Sequence, residues 1–327
     1  MTTLVHIVAP VRLLRGTFWR DYAVTMRPYL LFVSGITGIT GLALARDGSP
    51  GSLGALALAF FLAYGFGQAL TDCFQLDTDT LSAPYRPLVR GTIRREDVLT
   101  VSLVGLTLCS VVIGLHAPAA LPLCALTVIG LATYTWFKRR WWGGPFWNAW
   151  IVALVLLIGY VAAGGSVLAH APLVGGLAAA LFGYANFVLV GYYKDIPADR
   201  ATGYRTFPVV FGLPRSHLVS DVLVTCAFAG AMVAITALGR EYGPGHLLAG
   251  LAFAVAALTA AVVAQVRTHR VISDRDAYRA IGPGVHMYVL LLASVAAAAR
   301  PLWAAGLALF YAGFVLTLRR RPMAGQI

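Results

Sequence analysis

Residues 52–79 read SLGALALAFFLAYGFGQALTDCFQLDTD, a long apolar run that ends in a cluster of carboxylates. The apolar part, 52–72, has the length of about 20 residues that a helix needs to cross the hydrocarbon core of a bilayer. Similar runs recur along the chain, so the sequence predicts an all-α protein with about ten membrane-spanning helices. The other spans are expected near 24–46, 98–115, 118–137, 146–166, 172–193, 217–238, 246–266 and 284–318, the last of them divided into two at Arg300-Pro301.

The composition of the whole chain agrees with this interpretation. Its 327 residues are 59% hydrophobic and only 12% charged, and the mean hydropathy is +0.78. A soluble domain carries about 25% charged residues, so this chain lacks the polar groups to cover a water-exposed surface. The composition excludes a soluble enzyme, a nucleic-acid-binding domain and a disordered chain, and no nucleic-acid partner is expected. It favours an integral membrane protein surrounded by lipid.

The distribution of basic residues predicts how the helices are oriented. When the loops are assigned to alternate sides, only Arg46, Arg240 and Arg300 of the 25 Lys and Arg residues fall on one side. Cytoplasmic loops of membrane proteins are enriched in Lys and Arg. We therefore expect a cell-membrane protein of bacterial type, with its N-terminus and its even-numbered loops in the cytoplasm. Of the 13 acidic residues, all but Asp47 and Glu241 lie on this same side.

The first acidic cluster follows the second predicted span. If the helix continued at about 100° per residue, Asp72, Gln75 and Asp79 would share one face. Asp77 would point elsewhere. Two carboxylates and an amide oxygen on one face are a candidate set of metal ligands.

The second acidic cluster follows the sixth predicted span, in the segment YYKDIPADR at 192–200. Asp195 and Asp199 are one turn apart and share a face if the helix continues through Pro197. Proline is also tolerated at a helix start, so a fresh helical turn beginning there is equally possible. Both clusters are expected at the same membrane surface.

Carboxylate clusters beside basic residues indicate a magnesium site that binds phosphate. Mg²⁺ is held by a few carboxylates and completed by substrate phosphates, and Arg and Lys bind the same phosphates. A magnesium-bridged diphosphate whose tail requires apolar surroundings is a prenyl diphosphate. The alternative is that these charges are solvated helix ends that pair with one another. The candidate phosphate-binding bases are Arg86, Arg90, Lys138, Lys194 and Arg205.

Three segments together resemble the UbiA superfamily of intramembrane prenyltransferases. The segment 71–91, TDCFQLDTDTLSAPYRPLVRG, resembles its first aspartate motif and the loop that follows. The segment 194–212, KDIPADRATGYRTFPVVFG, resembles the second motif, D-x-x-x-D followed by G-x-x-T-x-P-x-x-x-G. Tyr134 and Lys138 resemble a Y-x-x-x-K pair between the fourth and fifth spans, with Asn148 on the next helix.

The resemblance implies a fold, a cofactor and roles for individual residues. It implies one domain over 1–327, with nine core helices around a central cavity open to lipid and an extra C-terminal helix at about 301–319. It implies Mg²⁺ held by the catalytic carboxylates Asp72, Asp79, Asp195 and Asp199. Arg27, in the first span, matches a basic position of the family. With Arg86, Lys138, Lys194, Arg205, Tyr134 and Asn148 it forms the expected diphosphate-binding set.

This sequence departs from the family pattern at two positions of the first motif. Thr71 replaces the leading Asn, and Gln75 replaces the middle Asp. The amide of Gln75 can still coordinate a metal through its oxygen, but it brings one negative charge less. Asp77 is a candidate to supply that charge from a neighbouring face.

The expected reaction is ionisation of a prenyl diphosphate and attack of an acceptor on the prenyl group. Mg²⁺ and the bases stabilise the leaving diphosphate, and aromatic faces can stabilise the allylic cation. The acceptor is expected to be hydrophobic, either aromatic or lipid-like. A UbiA-type terpene cyclase, which uses no acceptor, is the alternative, and a transporter is a more distant one. The candidate aromatic residues are Phe61, Tyr64, Phe74, Trp147, Tyr184 and Phe187.

Overall fold

A computed structural model describes residues 16–45, 50–166 and 170–321. Arg46 and Asp47, which entered the orientation argument, lie outside the described residues. The described chain folds into helices joined by short connections. They are α1 Gly16–Met26, α2 Leu31–Ala45, α3 Pro50–Asp72, α4 Leu76–Ser82, α5 Arg95–His116, α6 Leu121–Arg140, α7 Gly144–Ala162, α8 Ala171–Gly191, α9 Ile196–Ala201, α10 Phe207–Tyr242, α11 Pro244–His269, α12 Tyr278–Ala299 and α13 Ala304–Arg319.

Ten helices among the described residues are long and apolar enough to cross a membrane. They coincide with the ten predicted spans, and the last predicted stretch is divided into α12 and α13 at Arg300-Pro301. The prediction of an all-α bundle is therefore confirmed. The remaining helices, α1, α4 and α9, are short and lie at one end of the bundle.

Helix α12 forms the centre of the bundle. It packs against α2, α8, α10 and α11, and nearly all of its side chains from Gly284 to Ala299 are buried. Alanines fill its last two turns, so neighbouring helices can approach closely. By contrast, α13 contacts α12 and the turn at Pro28–Leu30, and it leaves most of its surface uncovered.

Glycines allow α2 and α7 to pack backbone against backbone. A Cβ atom on Gly159 would lie 2.4 Å from the carbonyl oxygen of Gly38, and one on Gly41 would lie 2.0 Å from the oxygen of Leu156. Neither distance is possible for a real side chain. The crossing therefore depends on small residues, as is typical of helix contacts in membranes.

The two acidic segments meet at the end of the bundle because α4 and α9 pack against each other. The Thr78 hydroxyl of α4 donates a hydrogen bond of 3.4 Å to Asp199 of α9. The backbone that follows α9 relies on two glycines, Gly203 and Gly212, with φ of 75° and 78°. Other residues rarely adopt such angles. Gly203 lies in the turn that leads into the long helix α10, and Gly212 forms a kink within that helix.

Candidate functional site

The first acidic segment is built by a helix break. Helix α3 ends at Asp72, the backbone amide of Gln75 donates to the Asp72 carbonyl oxygen, and α4 begins at Leu76. The single continuous helix assumed in the sequence argument is therefore absent here. Asp72, Gln75 and Asp79 nevertheless line the same cavity, because α4 packs back across the end of α3. The three side chains therefore share an orientation because of this packing, and not because of helical spacing.

That cavity, which we call the polar cavity, has a volume of about 110 Å³ and lies among the ends of α3, α6, α7 and α8. Its wall contains four cationic side chains and three carboxylates. The charged residues in the wall are Arg27, Arg86, Lys138, Lys194, Asp72, Asp79 and Asp195.

Two arginines pair with the first acidic segment. The Arg27 guanidinium donates through Nη2 to both carboxylate oxygens of Asp72, at 3.0 and 2.9 Å. Arg86 binds Asp79 and also lies 3.7 Å from Asp72. Burial raises the pKa of the Asp79 carboxyl, and the Arg86 charge opposes that rise. Charge pairing of this kind stabilises carboxylates that are almost completely removed from water.

Lys138, in the last turn of α6, contacts both acidic segments. Its side chain is only 4% exposed, and its ammonium group donates to Gln75 Oε1 at 3.0 Å. It also lies 3.7 Å from Asp199 and over the ring of Tyr192, 5.1 Å from the centroid. A buried lysine with these partners is a fixed point charge beside the cavity.

The two aspartates of the second acidic segment lie in different surroundings. Helical backbone continues from α8 through a 3₁₀ turn at Tyr192–Asp195 into α9, and Pro197 lies in the first turn of α9. Asp195 lines the polar cavity. Asp199 is fully buried and accepts hydrogen bonds from Thr78 and from Thr206, the latter at 3.0 Å.

Besides the fully buried Asp199, three further charged candidates from the sequence lie outside the wall of the polar cavity. Asp77 binds Arg139 at 2.7 Å and accepts a hydrogen bond from Tyr204. Burial raises the pKa of Tyr204 to about 12, so its hydroxyl remains a donor. Arg90 and Arg205 are exposed, and Arg205 contacts Arg139 only through its backbone amide. The structure thus places Asp77, Arg90 and Arg205 around the loops instead of in the cavity.

Tyr134 and Asn148 line the polar cavity, and sequence reasoning missed two of their neighbours. Gln68 donates to Asp72 at 2.7 Å; it precedes Asp72 by four residues, so helical spacing could have placed it on the same face. Tyr192 exchanges a 2.7 Å hydrogen bond with Tyr134. No sequence signal identified that pair, because it joins two distant helices.

Only half of the candidate aromatic residues reach the cavity. Tyr64, Tyr184 and Phe187 line it, and the hydroxyls of the two tyrosines are 3.0 Å apart. The others make ordinary packing contacts. Phe61 packs on Phe32 and Phe310, Trp147 stacks on Phe137, and Phe74 lies beneath Arg95.

A second, apolar cavity continues from the polar one toward the middle of the bundle. It has a volume of about 80 Å³ and is lined mainly by α3, α6 and α7. Leu106, Leu131, Ile151, Val152 and Val155 form much of its wall. Both cavities share the side chains of Tyr64, Gln68, Thr71, Asn148 and Tyr184. The combined space therefore has a charged end and an apolar end.

The donor set of the polar cavity suits a hard divalent cation that is bound jointly with phosphate. Within the described residues, no group of three His, Cys, Asp or Glu side chains converges closely enough to hold a metal alone. Mg²⁺ usually binds through one or two carboxylates together with substrate phosphates. Asp72, Asp79 and Asp195, with the amide oxygen of Gln75, fit that shared mode.

Comparison with known proteins identifies the family. Residues 34–280 match the UbiA prenyltransferase family. A digeranylgeranylglyceryl phosphate synthase from Halobacterium salinarum is 31% identical over 212 residues, which cover 63% of this chain and 75% of the relative. A protein of the same name from Natronomonas pharaonis is 33% identical over 195 residues, covering 59% and 69%.

Solved structures share the fold. A UbiA homolog from Aeropyrum pernix is 20% identical with a TM-score of 0.66, covering 79% of this chain and 94% of the homolog. A homolog from Archaeoglobus fulgidus, bound to GPP and Mg²⁺, is 15% identical with a TM-score of 0.59, covering 91% and 99%. The chain belongs to the UbiA prenyltransferase family and is an integral membrane prenyltransferase.

Proposed function

We propose that the chain ionises an isoprenyl diphosphate in the polar cavity and transfers the prenyl group to a lipid-like acceptor. The observation that carries this proposal is the continuity of a charged cavity with an apolar one. A prenyl diphosphate has the same division, with an anionic head and a hydrocarbon tail. The shared residues Tyr64 and Tyr184 then lie where head and tail join.

The diphosphate head is held by the basic side chains of the polar cavity. Arg27 and Arg86 pair with carboxylates in the structure, and they can turn to phosphate oxygens when those carboxylates take another partner. Lys138 of α6 and Lys194 of the 3₁₀ turn supply two further positive charges. Stabilising negative charge on the departing diphosphate lowers the barrier to breaking its bond to the prenyl C1.

We assign a divalent cation, as Mg²⁺, to Asp72, Asp79, Asp195 and the amide oxygen of Gln75. When bound there it supplies Lewis-acid stabilisation of the leaving diphosphate. The solved homologs bound to prenyl diphosphates together with Mg²⁺ support this assignment. Asp199 has a different role in this proposal: it holds Lys138 and joins α4 to α9.

The apolar cavity receives the tail and excludes water from the reacting carbon. The faces of Tyr64, Tyr184 and Phe187 lie beside the junction of the cavities and can stabilise an allylic cation. The acceptor hydroxyl attacks C1, the new C–O bond forms, and the hydroxyl proton leaves with the released diphosphate. Names of the relatives point to an acceptor built on glyceryl phosphate, and we propose that class here.

We further propose that the chain forms a single domain and that its active-site loops face the cytoplasm. The described spans alternate such that Arg240 and Arg300 lie on the side opposite the polar cavity. The excess of basic residues on the cavity side supports this orientation.

The test is to incubate the purified protein with geranyl, farnesyl and geranylgeranyl diphosphates and Mg²⁺, with or without a prenylated glyceryl phosphate. We expect prenyl transfer only with the acceptor, and loss of at least a hundredfold in rate for Asp72→Asn. Asp221→Asn, which removes a carboxylate far from the cavity, is the matched control and should retain activity. A cyclised hydrocarbon formed without acceptor would instead identify a terpene cyclase.

A further inference from the structure

A wide groove runs between α11, α12 and α13, apart from the catalytic cavities. Its volume is about 780 Å³, against about 110 Å³ for the polar cavity and about 80 Å³ for the apolar cavity. Apolar side chains line much of its length, including Ala256, Ala260, Val263, Leu290 and Val315. A groove of this kind on the outside of a membrane bundle is accessible to a lipid chain.

Four arginines surround one end of the groove: Arg267, Arg279, Arg319 and Arg321. They lie at or next to the ends of α11, α12 and α13. Because the spans alternate, these ends face the same side of the membrane as the polar cavity. The groove therefore combines an apolar channel with a cationic rim at the level of lipid headgroups.

The charge of this rim is poorly balanced by the protein. Asp276 is the only carboxylate recorded as an ion-pair partner of the four arginines in the described chain, 3.4 Å from Arg279. Arg267 donates instead to a backbone carbonyl, that of Arg279. The Nε atom of Arg321 is buried without a hydrogen-bond partner among the described residues. Such a rim favours an anionic ligand.

The groove is separate from the catalytic cavity although both use α12. Ile281 lines the polar cavity, whereas its neighbours Gly282 and Pro283 line the groove. Deeper in the groove, His286 and Tyr311 share a 2.8 Å hydrogen bond between α12 and α13. The wall contributed by α13 lies beyond residues 34–280, where the family match ends.

We propose that this groove binds one anionic membrane phospholipid, with its phosphate at the four arginines and an acyl chain along the apolar wall. Charge complementarity favours a lipid over the remaining segments of the chain. Residues 1–15 contain Arg12 and Arg15 and no carboxylate side chain, and residues 322–327 contain no charged side chain. The proposed ligand is bound and not consumed, so the inference is independent of the transfer reaction.

Native mass spectrometry of the full chain in detergent, titrated with phosphatidylglycerol or phosphatidylcholine, tests the proposal. We expect one phosphatidylglycerol to bind at least tenfold more tightly than phosphatidylcholine. The double variant Arg279→Gln/Arg319→Gln should weaken this binding about thirtyfold, because each arginine near an anionic headgroup adds to the binding free energy and the two losses combine. Ala256→Trp should also reduce binding, because the indole would fill the apolar part while the arginines remain.

The matched control is Arg94→Gln/Arg200→Gln, which removes two exposed arginines elsewhere on the same side and should bind like the parent protein. Equal affinity for the two lipids, or no effect of the Arg279/Arg319 change, would overturn the proposal. Full displacement by inorganic phosphate would identify a free-anion site. A dimer that excludes the lipid would identify the groove as a contact between copies of the chain, again contradicting it.

Discussion

At the scale of single residues, Gln75 is the main departure of this chain from its family pattern. Its amide oxygen accepts a hydrogen bond from Lys138, and its side chain lines the polar cavity between Asp72 and Asp79. An aspartate at this position would pair with the same lysine and add a negative charge to the cavity. Glutamine therefore leaves the proposed metal site with one negative charge less than aspartate would give it.

Replacing Gln75 with Asp should strengthen Mg²⁺ binding. The added carboxylate is a better ligand for a hard cation than an amide oxygen, so we expect the Mg²⁺ concentration for half-maximal activity to fall about tenfold. Magnesium titrations of prenyl transfer measure this. Asp77→Asn, which alters a carboxylate outside the cavity, should leave the titration unchanged. An unchanged midpoint for Gln75→Asp would place residue 75 outside the metal site.

Replacing the two aspartates of the second segment should affect different properties, the rate of transfer for Asp195 and the stability of the fold for Asp199. Asp195→Asn should reduce transfer at least a hundredfold with little effect on thermal unfolding, because Asp195 lines the cavity. Asp199→Asn should lower the free energy of unfolding by about 3 kcal/mol, because it leaves the buried Lys138 ammonium short of a charged partner. Parallel activity and melting measurements separate the two effects. Equal losses of stability would contradict this division.

Sequence reasoning located the charged residues of this site, but it could not assign their directions. The spacing of Asp195 and Asp199 allowed either a continuous helix or a new turn at Pro197, and only the fold decides between them. Asp77 was a candidate ligand because it lies in the same short segment. Its actual partners are Arg139, at the end of α6, and Tyr204, between α9 and α10, and no local pattern reveals such contacts.

At the scale of secondary structure elements, the spans were predictable and their crossings were not. Hydrophobic length alone determines where a membrane helix forms, since its backbone must satisfy its own hydrogen bonds in lipid. Which glycines face a neighbouring helix depends on rotation and register. Gly54 and Gly159 are both glycines in membrane spans, yet Gly54 has no atom within 4 Å of a built Cβ and Gly159 has one at 2.4 Å.

This difference predicts unequal effects of the same substitution. Gly159→Ala forces a methyl group against the Gly38 carbonyl oxygen of α2, and we expect a loss of about 1–3 kcal/mol in the free energy of unfolding. Gly54→Ala should be neutral or slightly stabilising, because alanine favours a helix. Thermal melting in detergent, followed by size-exclusion chromatography, compares them. A Gly159→Ala protein as stable as the parent would show that α2 and α7 do not pack this closely.

At the scale of the whole molecule, the expected orientation in the membrane rests on the preference of many individual Lys and Arg residues for the cytoplasmic side. One span counted wrongly would mix the basic loops between the two sides, yet the described helices preserve the separation found in the sequence. The polar cavity and the arginine-lined groove consequently open toward the same membrane surface. Ligands with anionic headgroups would approach both from that side.

Cysteine labelling in intact cells tests this orientation. The native cysteines Cys73, Cys109, Cys124 and Cys226 are first replaced by alanine or serine, and single cysteines are then introduced at two exposed positions. Arg94→Cys, just before α5 on the side of the membrane that holds the polar cavity, should react with a membrane-impermeant maleimide only after the cells are permeabilised. Glu241→Cys, in the last turn of α10, should react in intact cells. The reverse labelling pattern would show the opposite topology, with the carboxylates of the polar cavity outside the cell. The loops rich in Lys and Arg would then also lie outside, against the positive-inside rule.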